Sequence, residues 1–106
     1  MKIVEKFEPL SETDGIYTKL VIDHGMVIDF VVAQISEFGE QKFQVVRYDT
    51  AHGYAHKDCL YLSGMVKELL PDRPFDDLYG MCIKEIKSEW RNYQSQYLRN
   101  HWGTLQ

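Results

Sequence analysis

The chain has 106 residues, a length typical of one domain. Hydrophobic residues make up 44% and charged residues 26% of it, which suffices for one modest core and leaves little for a second. The formal net charge of −4 argues against broad, sequence-independent nucleic-acid binding, because such binding depends on many contacts between cations and phosphates.

Hydropathy and cysteine content indicate a cytoplasmic protein. No apolar run approaches the ~20 residues of a membrane-spanning helix, so no membrane association is predicted. The N-terminal residues carry charges where a signal peptide would have its apolar stretch. Cys59 and Cys82 are the only cysteines and have no CxxC spacing, so we expect two reduced thiols in an intracellular protein.

The first half of the chain predicts antiparallel strands. Runs rich in β-branched and aromatic residues alternate with short polar or glycine-containing turns. We expect strands over Ile3–Phe7, Ile16–Ile22, Met26–Ile35 and Lys42–Asp49. The third of these is apolar on both faces, which is typical of a central strand. Because the connections are short, strands adjacent in sequence should pair with each other.

The second half predicts helices. Ser63–Leu70 suits a short helix, with Ser63 as its N-cap and Pro71 after its end. A longer helix is predicted over Pro74–His101, with Gly103 as its stop. Its apolar and aromatic residues recur at spacings of three and four, which places on one face Phe75, Tyr79, Cys82, Ile86, Trp90, Tyr93 and Tyr97.

Together these elements predict a single α+β domain over residues 1–106. The expected fold is an antiparallel β-meander of about four strands with a long amphipathic C-terminal helix packed on one face. Such a helix would span ~40 Å, whereas a typical strand spans ~17–20 Å, so part of its aromatic stripe should overhang the sheet. Exposed aromatic patches tend to mark interfaces, which predicts a homodimer through this helix. A small protein partner is the other candidate.

One stretch concentrates the reactive side chains of the chain. Arg47–Asp58, here called the histidine loop, holds two of the four histidines together with two carboxylates and two cations. Strand alternation places Phe43, Val45, Arg47 and Asp49 on one face, with the last two at the end of the strand. Gly53 permits a tight turn between His52 and His56, and Lys57–Leu62 would return as a strand.

The first hypothesis for this loop is acid/base cleavage of a phosphodiester without a metal. His52 and His56 would serve as general base and general acid, since neutral and protonated imidazole coexist near pH 7. Arg47 or Lys57 would bind the phosphate, and Asp49 would orient an imidazole.

The second hypothesis is a metal site, with ligands from Asp49, His52, His56 and Asp58. Imidazole and carboxylate groups suit Zn²⁺, Mn²⁺ and Fe²⁺. The spacing D-x-x-H-x-x-x-H-x-D matches no standard zinc motif. Histidines beside glycine and aspartate also stabilise turns through backbone hydrogen bonds, so a purely structural loop is a third hypothesis.

The other candidates have simpler explanations. His24 lies in a predicted turn, and His101 suits the negative end of the helix dipole. Cys59 follows the histidines but is flanked by Leu60, Tyr61 and Leu62, which indicates a buried and unreactive thiol.

The pattern R-Y-D-x-x-H followed by a second histidine resembles small uncharacterised prokaryotic proteins. It is distantly similar to the TumE-like toxins of toxin–antitoxin pairs. Arg47, Tyr48, Asp49, His52 and His56 carry this resemblance. It implies a ribonuclease-like hydrolase. The members of that group tend to have an HxH-like pair, whereas Lys57 and Asp58 follow the second histidine here.

Two hypotheses of different classes therefore stand. One is a small hydrolase that uses the two histidines as its acid/base pair. The other is a non-catalytic dimeric, interaction or metal-binding protein.

Overall fold

Six antiparallel strands lie side by side in the order in which they occur in the sequence. The computed structural model describes residues 1–105, and residue 106 of the predicted domain lies outside them. The strands are β1 Lys2–Pro9, β2 Asp14–Asp23, β3 Met26–Phe38, β4 Gln41–Asp49, β5 His56–Asp58 and β6 Lys67–Leu69. Helix α1 spans Phe75–Asn100, and the single turn α2 spans Trp102–Leu105.

The predicted antiparallel meander with a C-terminal helix is confirmed, but the sheet has six strands rather than about four. The two additional strands have three residues each, too short for a clear alternation pattern in the sequence. The return strand expected over Lys57–Leu62 is present only as His56–Asp58, and the chain turns away after Asp58. The predicted helix over Ser63–Leu70 is wrong, because this segment contains β6. Leu70 N–H donates to Ala55 O at 3.0 Å, and Cys59 N–H donates to Val66 O at 2.9 Å. Such tertiary pairing replaces a helix too short to be stable alone.

Helix α1 packs on one face of the sheet, here called the covered face. The core lies between them and includes Ile16, Leu20, Phe30, Val32, Val46, Tyr48, Leu78, Cys82, Ile86 and Tyr93. Ile86 is fully buried, and burying such a side chain stabilises the fold by about 1.5–3 kcal/mol. On the opposite side, here called the open face, no helix or strand of residues 1–105 packs.

A bulge in β4 decides which side chains reach the open face. Pairing with β3 passes from Gln34↔Val46 to Ile35↔Gln44, which leaves Val45 as the extra residue. The predicted common face for Phe43, Val45, Arg47 and Asp49 is therefore wrong. Phe43 lies on the covered face, with its ring 5.8 Å from that of Tyr97 in α1, whereas Arg47 and Asp49 project from the open face.

The long helix begins and ends close to its predicted bounds. Pro74 precedes it, and Asp76 and Asp77 in its first turn suit the positive end of the dipole. The chain leaves the helix at His101, whose N–H donates to Tyr97 O at 2.9 Å. Gly103 does not act as the stop, because it lies within α2.

The aromatic stripe of α1 is covered by the sheet and does not overhang it. The Tyr97 ring stacks on Phe38 at 5.9 Å, and the Tyr93 ring stacks on Tyr61 at 4.4 Å. The reason is strand length. β3 has 13 residues and spans ~43 Å, which matches the ~39 Å of a helix of 26 residues.

A buried polar network fixes the far end of the helix. Asp14 is 2% exposed and accepts hydrogen bonds from Gln34 Nε2 at 3.0 Å, from Gln94 Nε2 at 2.5 Å and from the Ser36 hydroxyl. The Gln34 amide also donates to Trp90 O at 3.0 Å. These bonds set the register between β2, β3 and α1. Within residues 1–105, no helix combines the length and the apolar character required to span a bilayer.

Candidate functional site

The three-residue strand β5 places the C-terminal end of the histidine loop against β4. Its register pairs Asp49 with His56 and Arg47 with Asp58, while Lys57 is paired with Tyr48. Because side chains alternate along a strand, His56 and Asp58 project from the open face and Lys57 projects from the covered face. The strand therefore divides the predicted site residues between two sides of the sheet.

Four side chains meet on the open face and form what is here called the open-face cluster: Arg47, Asp49, His56 and Asp58. His56 Nε2 lies 3.0 Å from Asp49 Oδ1 and 3.9 Å from Asp58 Oδ2. Arg47 Nε donates to Asp49 Oδ2 at 2.8 Å. One ligand atom from each of Asp49, His56 and Asp58 lies within 4.8 Å of the others, so three of the predicted residues converge on one point.

The surroundings of Asp49 favour its ionised form. Burial acts to raise the pKa of this carboxyl group, but the hydrogen bonds from Arg47 and from Ala51 N–H lower it. The charge of a protonated His56 acts in the same direction. The net result is a pKa below the ordinary value, so Asp49 is a carboxylate available to a cation at neutral pH.

His56 and Asp58 are enclosed but incompletely hydrogen-bonded. His56 is 5% exposed, and its Nδ1 has no hydrogen-bond partner among the described residues. Asp58 Oδ1 lies 3.3 Å from Lys67 Nζ, an ion-pair distance without hydrogen-bond geometry. Buried polar atoms are usually paired, so these two indicate a site that is not fully satisfied by its own side chains.

His52 lies beside the cluster on an exposed turn. Its ring centroid is 6.2 Å from that of His56, with the rings within 21° of parallel. The turn is fixed at its base by Thr50, whose hydroxyl donates to Asp29 Oδ1 at 2.6 Å, and it closes at Gly53, whose φ is 80°. The predicted turn between the two histidines is therefore present, but His52 is not among the three converging ligands.

A shallow pocket of about 220 Å³ adjoins the cluster on the open face. Two cations line it: Arg47 from β4 and Lys19 from β2. Lys19 forms no ion pair within 4 Å among the described residues. Sequence analysis did not select Lys19, because only the strand register places it across from Asp49, with Val31 between them.

The structure does not bring Lys57 to the predicted phosphate site. Lys57 is 5% exposed on the covered face, and its ammonium donates to Glu85 Oε1 and to Tyr93 Oη, each at 3.0 Å. Tyr48 Oη donates to the other Glu85 oxygen at 2.6 Å. These four residues, Tyr48, Lys57, Glu85 and Tyr93, are here called the covered-face network. Successive side chains of a strand face opposite sides of the sheet, so Lys57 and its neighbour His56 cannot share a site. This alternation is the sequence signal that excludes Lys57 from a site built around His56.

Hydrogen bonds and opposite charges keep Lys57 and Glu85 ionised in the covered-face network. Burial acts to lower the pKa of Lys57, but the hydrogen bonds with Tyr93 and Glu85 raise it above the ordinary value. Burial acts to raise the pKa of Glu85, but hydrogen bonds from Tyr48 and Lys57 bring it below the ordinary value. The ammonium also lies 5.0 Å from the Tyr93 ring centroid. Lys57 is thus a fixed cation and not a nucleophile.

The remaining candidates lie away from the cluster. Both cysteines are buried, and burial raises the pKa of Cys82 to about 12 and that of Cys59 above its ordinary value. His24 lies in an exposed turn with φ 52°. His101 Nε2 lies 2.9 Å from Leu60 O, where it links the end of α1 to the segment after β5.

Comparison with known proteins gives one match. The family model described as Domain of unknown function (DUF7718) matches residues 1–103. The chain belongs to this family. No curated protein and no solved structure gives a significant match. The family description names no reaction or ligand.

Proposed function

We propose that the open-face cluster binds a divalent transition-metal ion through the Asp49 carboxylate, His56 Nε2 and the Asp58 carboxylate. The observation that carries the proposal is the convergence of these three ligand atoms within 4.8 Å of one another. Each comes from a backbone position fixed by β4–β5 pairing, which is the kind of rigid support that metal sites require.

The spacing of the ligand atoms supports this proposal. Metal–ligand bonds of about 2.0–2.2 Å place neighbouring ligand atoms roughly 3–4 Å apart. His56 Nε2 is 3.0 Å from Asp49 Oδ1 and 3.9 Å from Asp58 Oδ2. An ion could therefore enter with only small side-chain shifts.

The ligand types and their outer contacts point to Zn²⁺, Mn²⁺ or Fe²⁺. One imidazole and two carboxylates suit these ions better than Cu⁺, which prefers sulfur ligands. Arg47 holds the second oxygen of Asp49 at 2.8 Å, and Lys67 lies near Asp58. Such outer contacts orient ligating carboxylates and leave one oxygen of each for the metal.

His52 is the fourth candidate ligand. Its exposed turn brings the ring to a centroid distance of 6.2 Å from His56, and a small movement of this turn would direct a ring nitrogen at the ion. A water molecule would otherwise complete the tetrahedral coordination typical of zinc.

Metal content and calorimetry test the proposal. Protein purified without an affinity tag and titrated with Zn²⁺ or Mn²⁺ should bind one equivalent of the ion. His56→Asn and Asp58→Asn should lose this binding. His24→Asn is the matched control, because His24 is exposed, lies far from the cluster and has a φ of 52° that asparagine tolerates. Equal binding by His56→Asn and the parent would refute the assignment.

A second candidate function is hydrolysis of a phosphate ester, as the resemblance to TumE-like toxins implies. The observation that favours it is the pocket lined by Lys19 and Arg47 beside Asp49. Two cations that line the same pocket suit a phosphoryl group, although Asp29 and Asp49 line it as well. In this version His52 and His56 act as the acid/base pair, Asp49 orients His56, and Lys19 takes the role that sequence analysis gave to Lys57.

The two functions separate in one assay. Metal-independent cleavage of RNA or a model phosphodiester should persist in chelator and be lost in both His52→Ala and His56→Ala. Lys19→Met should weaken substrate binding, with Lys42→Met as a control on a neighbouring part of the sheet. If chelator abolishes cleavage, the reaction belongs to the metal centre and not to the histidine pair. Full activity in both histidine variants would exclude the acid/base assignment.

A further inference from the structure

The two edges of the sheet differ in length. At one edge, β6 has three residues, which offers few backbone groups to another chain. At the other edge, β1 has eight residues and pairs only with β2. A strand of this length presents a row of unpaired backbone N–H and C=O groups on its outer side, and such an edge is a template for pairing with another strand.

The side chains of β1 include apolar groups that no described residue covers fully. Ile3 and Phe7 project from the open face, and each is 58% exposed. Their positions follow from the register, which pairs Ile3 with Val21 and Phe7 with Tyr17. The charged residues Lys2, Lys6 and Glu8 project from the covered side, while Glu5 shares the open face with the two apolar residues. Glu8 Oε2 lies 3.0 Å from Lys87 Nζ of α1, and both side chains remain half exposed.

We propose that β1 pairs antiparallel with β1 of a second copy of this chain, with the two-fold axis at Glu5. Residues that face each other across antiparallel strands share one side of the sheet, so only residues of the same parity can pair. With the axis at Glu5, Lys2 faces Glu8 of the second copy, and Ile3 faces Phe7 of the second copy. Symmetry repeats each contact, which gives two ion pairs and two apolar pairs.

Neighbouring registers are less favourable. With the axis at Val4, Lys2 would face Lys6 of the second copy, which places like charges opposite each other twice. With the axis at Lys6, the two Lys6 ammonium groups would meet and Glu5 would face Phe7. Opposite charges across a strand pair stabilise it and like charges destabilise it, so charge complementarity favours the axis at Glu5 over both of these registers. An axis at Phe7 would also place Lys6 opposite Glu8, but it would align five residues of β1 instead of seven. The lysines that discourage non-specific edge pairing thus restrict the registers in which β1 can pair.

The unfavourable contact in this register is Glu5 against its own copy. Lys19 lies directly across from Glu5 on β2, so each carboxylate has a cation on its other side. The row across the interface reads Lys19, Glu5, Glu5, Lys19, and the outer lysines offset the repulsion at the axis. The dimer would join two six-stranded sheets into one of twelve strands, with both open-face clusters on the same side.

This interface replaces the predicted dimer through the C-terminal helix. That prediction depended on an overhanging aromatic stripe, and the stripe is instead covered by Phe38, Phe43 and Tyr61. The β1 edge retains the exposed apolar groups and complementary charges that an interface between two copies requires.

Solution mass tests the dimer. Sedimentation equilibrium should give twice the chain mass of 12.5 kDa, and Ile3→Glu should raise the dissociation constant by about tenfold or more, since it places charge against Phe7 twice. Met26→Glu is the matched control, because Met26 is 62% exposed and lies at the start of β3, away from the β1 edge. Glu5→Gln should tighten the dimer by removing repulsion at the axis. A monomer at every concentration tested, or a dimer unchanged by Ile3→Glu, would overturn the proposal.

Crosslinking tests the register. Residues at the axis of an antiparallel pair have Cα atoms about 4.5–5.5 Å apart, within the range of a disulfide. Glu5→Cys should therefore form an intermolecular disulfide on mild oxidation. Lys2→Cys should not, because it faces Glu8 and lies far from its own copy. Efficient crosslinking of Lys2→Cys without that of Glu5→Cys would show a different interface, while the buried native thiols serve as the background control.

Discussion

Lys57 Nζ lies 3.0 Å from Glu85 Oε1 and joins the shortest central strand to the middle of the long helix. Lys57 is 5% exposed, whereas the Glu85 side chain is 40% exposed, so the two partners lose unequal amounts of hydration on folding. A buried ion pair contributes little net stability, but removing one partner leaves an uncompensated charge. The more buried partner should therefore determine the cost of breaking the pair.

Glu85→Gln should destabilise the protein by about 2–4 kcal/mol, because it leaves the Lys57 ammonium buried without a counter-charge. Lys57→Met should cost less, since Glu85 retains access to water. The double variant Lys57→Met/Glu85→Gln should be more stable than Glu85→Gln alone. Urea unfolding of the three variants measures these differences. Costs that simply add in the double variant would show that the ion pair carries no coupling energy.

The decrease in the free energy of unfolding at acidic pH should depend on Glu85. Its pKa in the folded state lies below the ordinary value of 4.5, so its contribution is present above that value and is lost as pH falls through the folded pKa. The stability gap between the parent and Glu85→Gln should therefore narrow as pH falls below 4.5 and through the folded pKa of Glu85. Urea midpoints across this range provide the measurement. A gap that stays constant would mean that Glu85 remains ionised or that its charge is irrelevant.

His52→Ala should weaken metal binding by about tenfold if this ring completes the coordination, whereas His56→Ala should abolish binding. The difference arises because His56 is fixed on β5 next to Asp49, while His52 lies on an exposed turn and must move to reach the ion. Titration calorimetry of both variants with Zn²⁺ gives the affinities. Equal affinity of His52→Ala and the parent would assign the fourth position to water.

Gly15→Ala should disturb the packing of Phe7. A Cβ atom at Gly15 would overlap the end of the Phe7 ring, so the ring must move aside. Because Phe7 is 58% exposed and free to swing towards solvent, we expect a cost of only about 1 kcal/mol. Phe7→Ala should remove the effect of the glycine substitution, and thermal unfolding of the single and double variants checks this. A large cost that persists without the ring would place the strain in the backbone.

Much of the fold could be predicted because its main strands and helix have long periodic patterns of apolar residues. Four strands and a helix of 26 residues each carry several repeats of their pattern. β5 and β6 carry less than two repeats and are defined by tertiary pairing, which local sequence does not encode. The bulge at Val45 is likewise not evident from the sequence, because Val45 and Val46 are both apolar and either could face the core.

The sequence predicts most of the residues that converge in the candidate site, but not the face of the sheet from which each side chain projects. Arg47, Asp49, His56 and Asp58 do converge, because they were selected as chemically reactive groups close in sequence. Lys57 was included for its charge alone, and its strand neighbours place it on the other side of the sheet. Lys19 and Glu85 could not be found from sequence proximity, since each reaches its partners through long-range pairing or helix packing.

Because His56 and Lys57 are neighbours on β5, the tyrosines around Lys57 should respond spectroscopically to ligand binding at His56. A ligand that shifts His56 moves the same short backbone segment that carries Lys57, and with it the rings of Tyr48, Tyr61 and Tyr93 around the ammonium. These rings are buried in an asymmetric, charged environment, so their near-ultraviolet circular dichroism should respond to occupancy of a site that none of them touches.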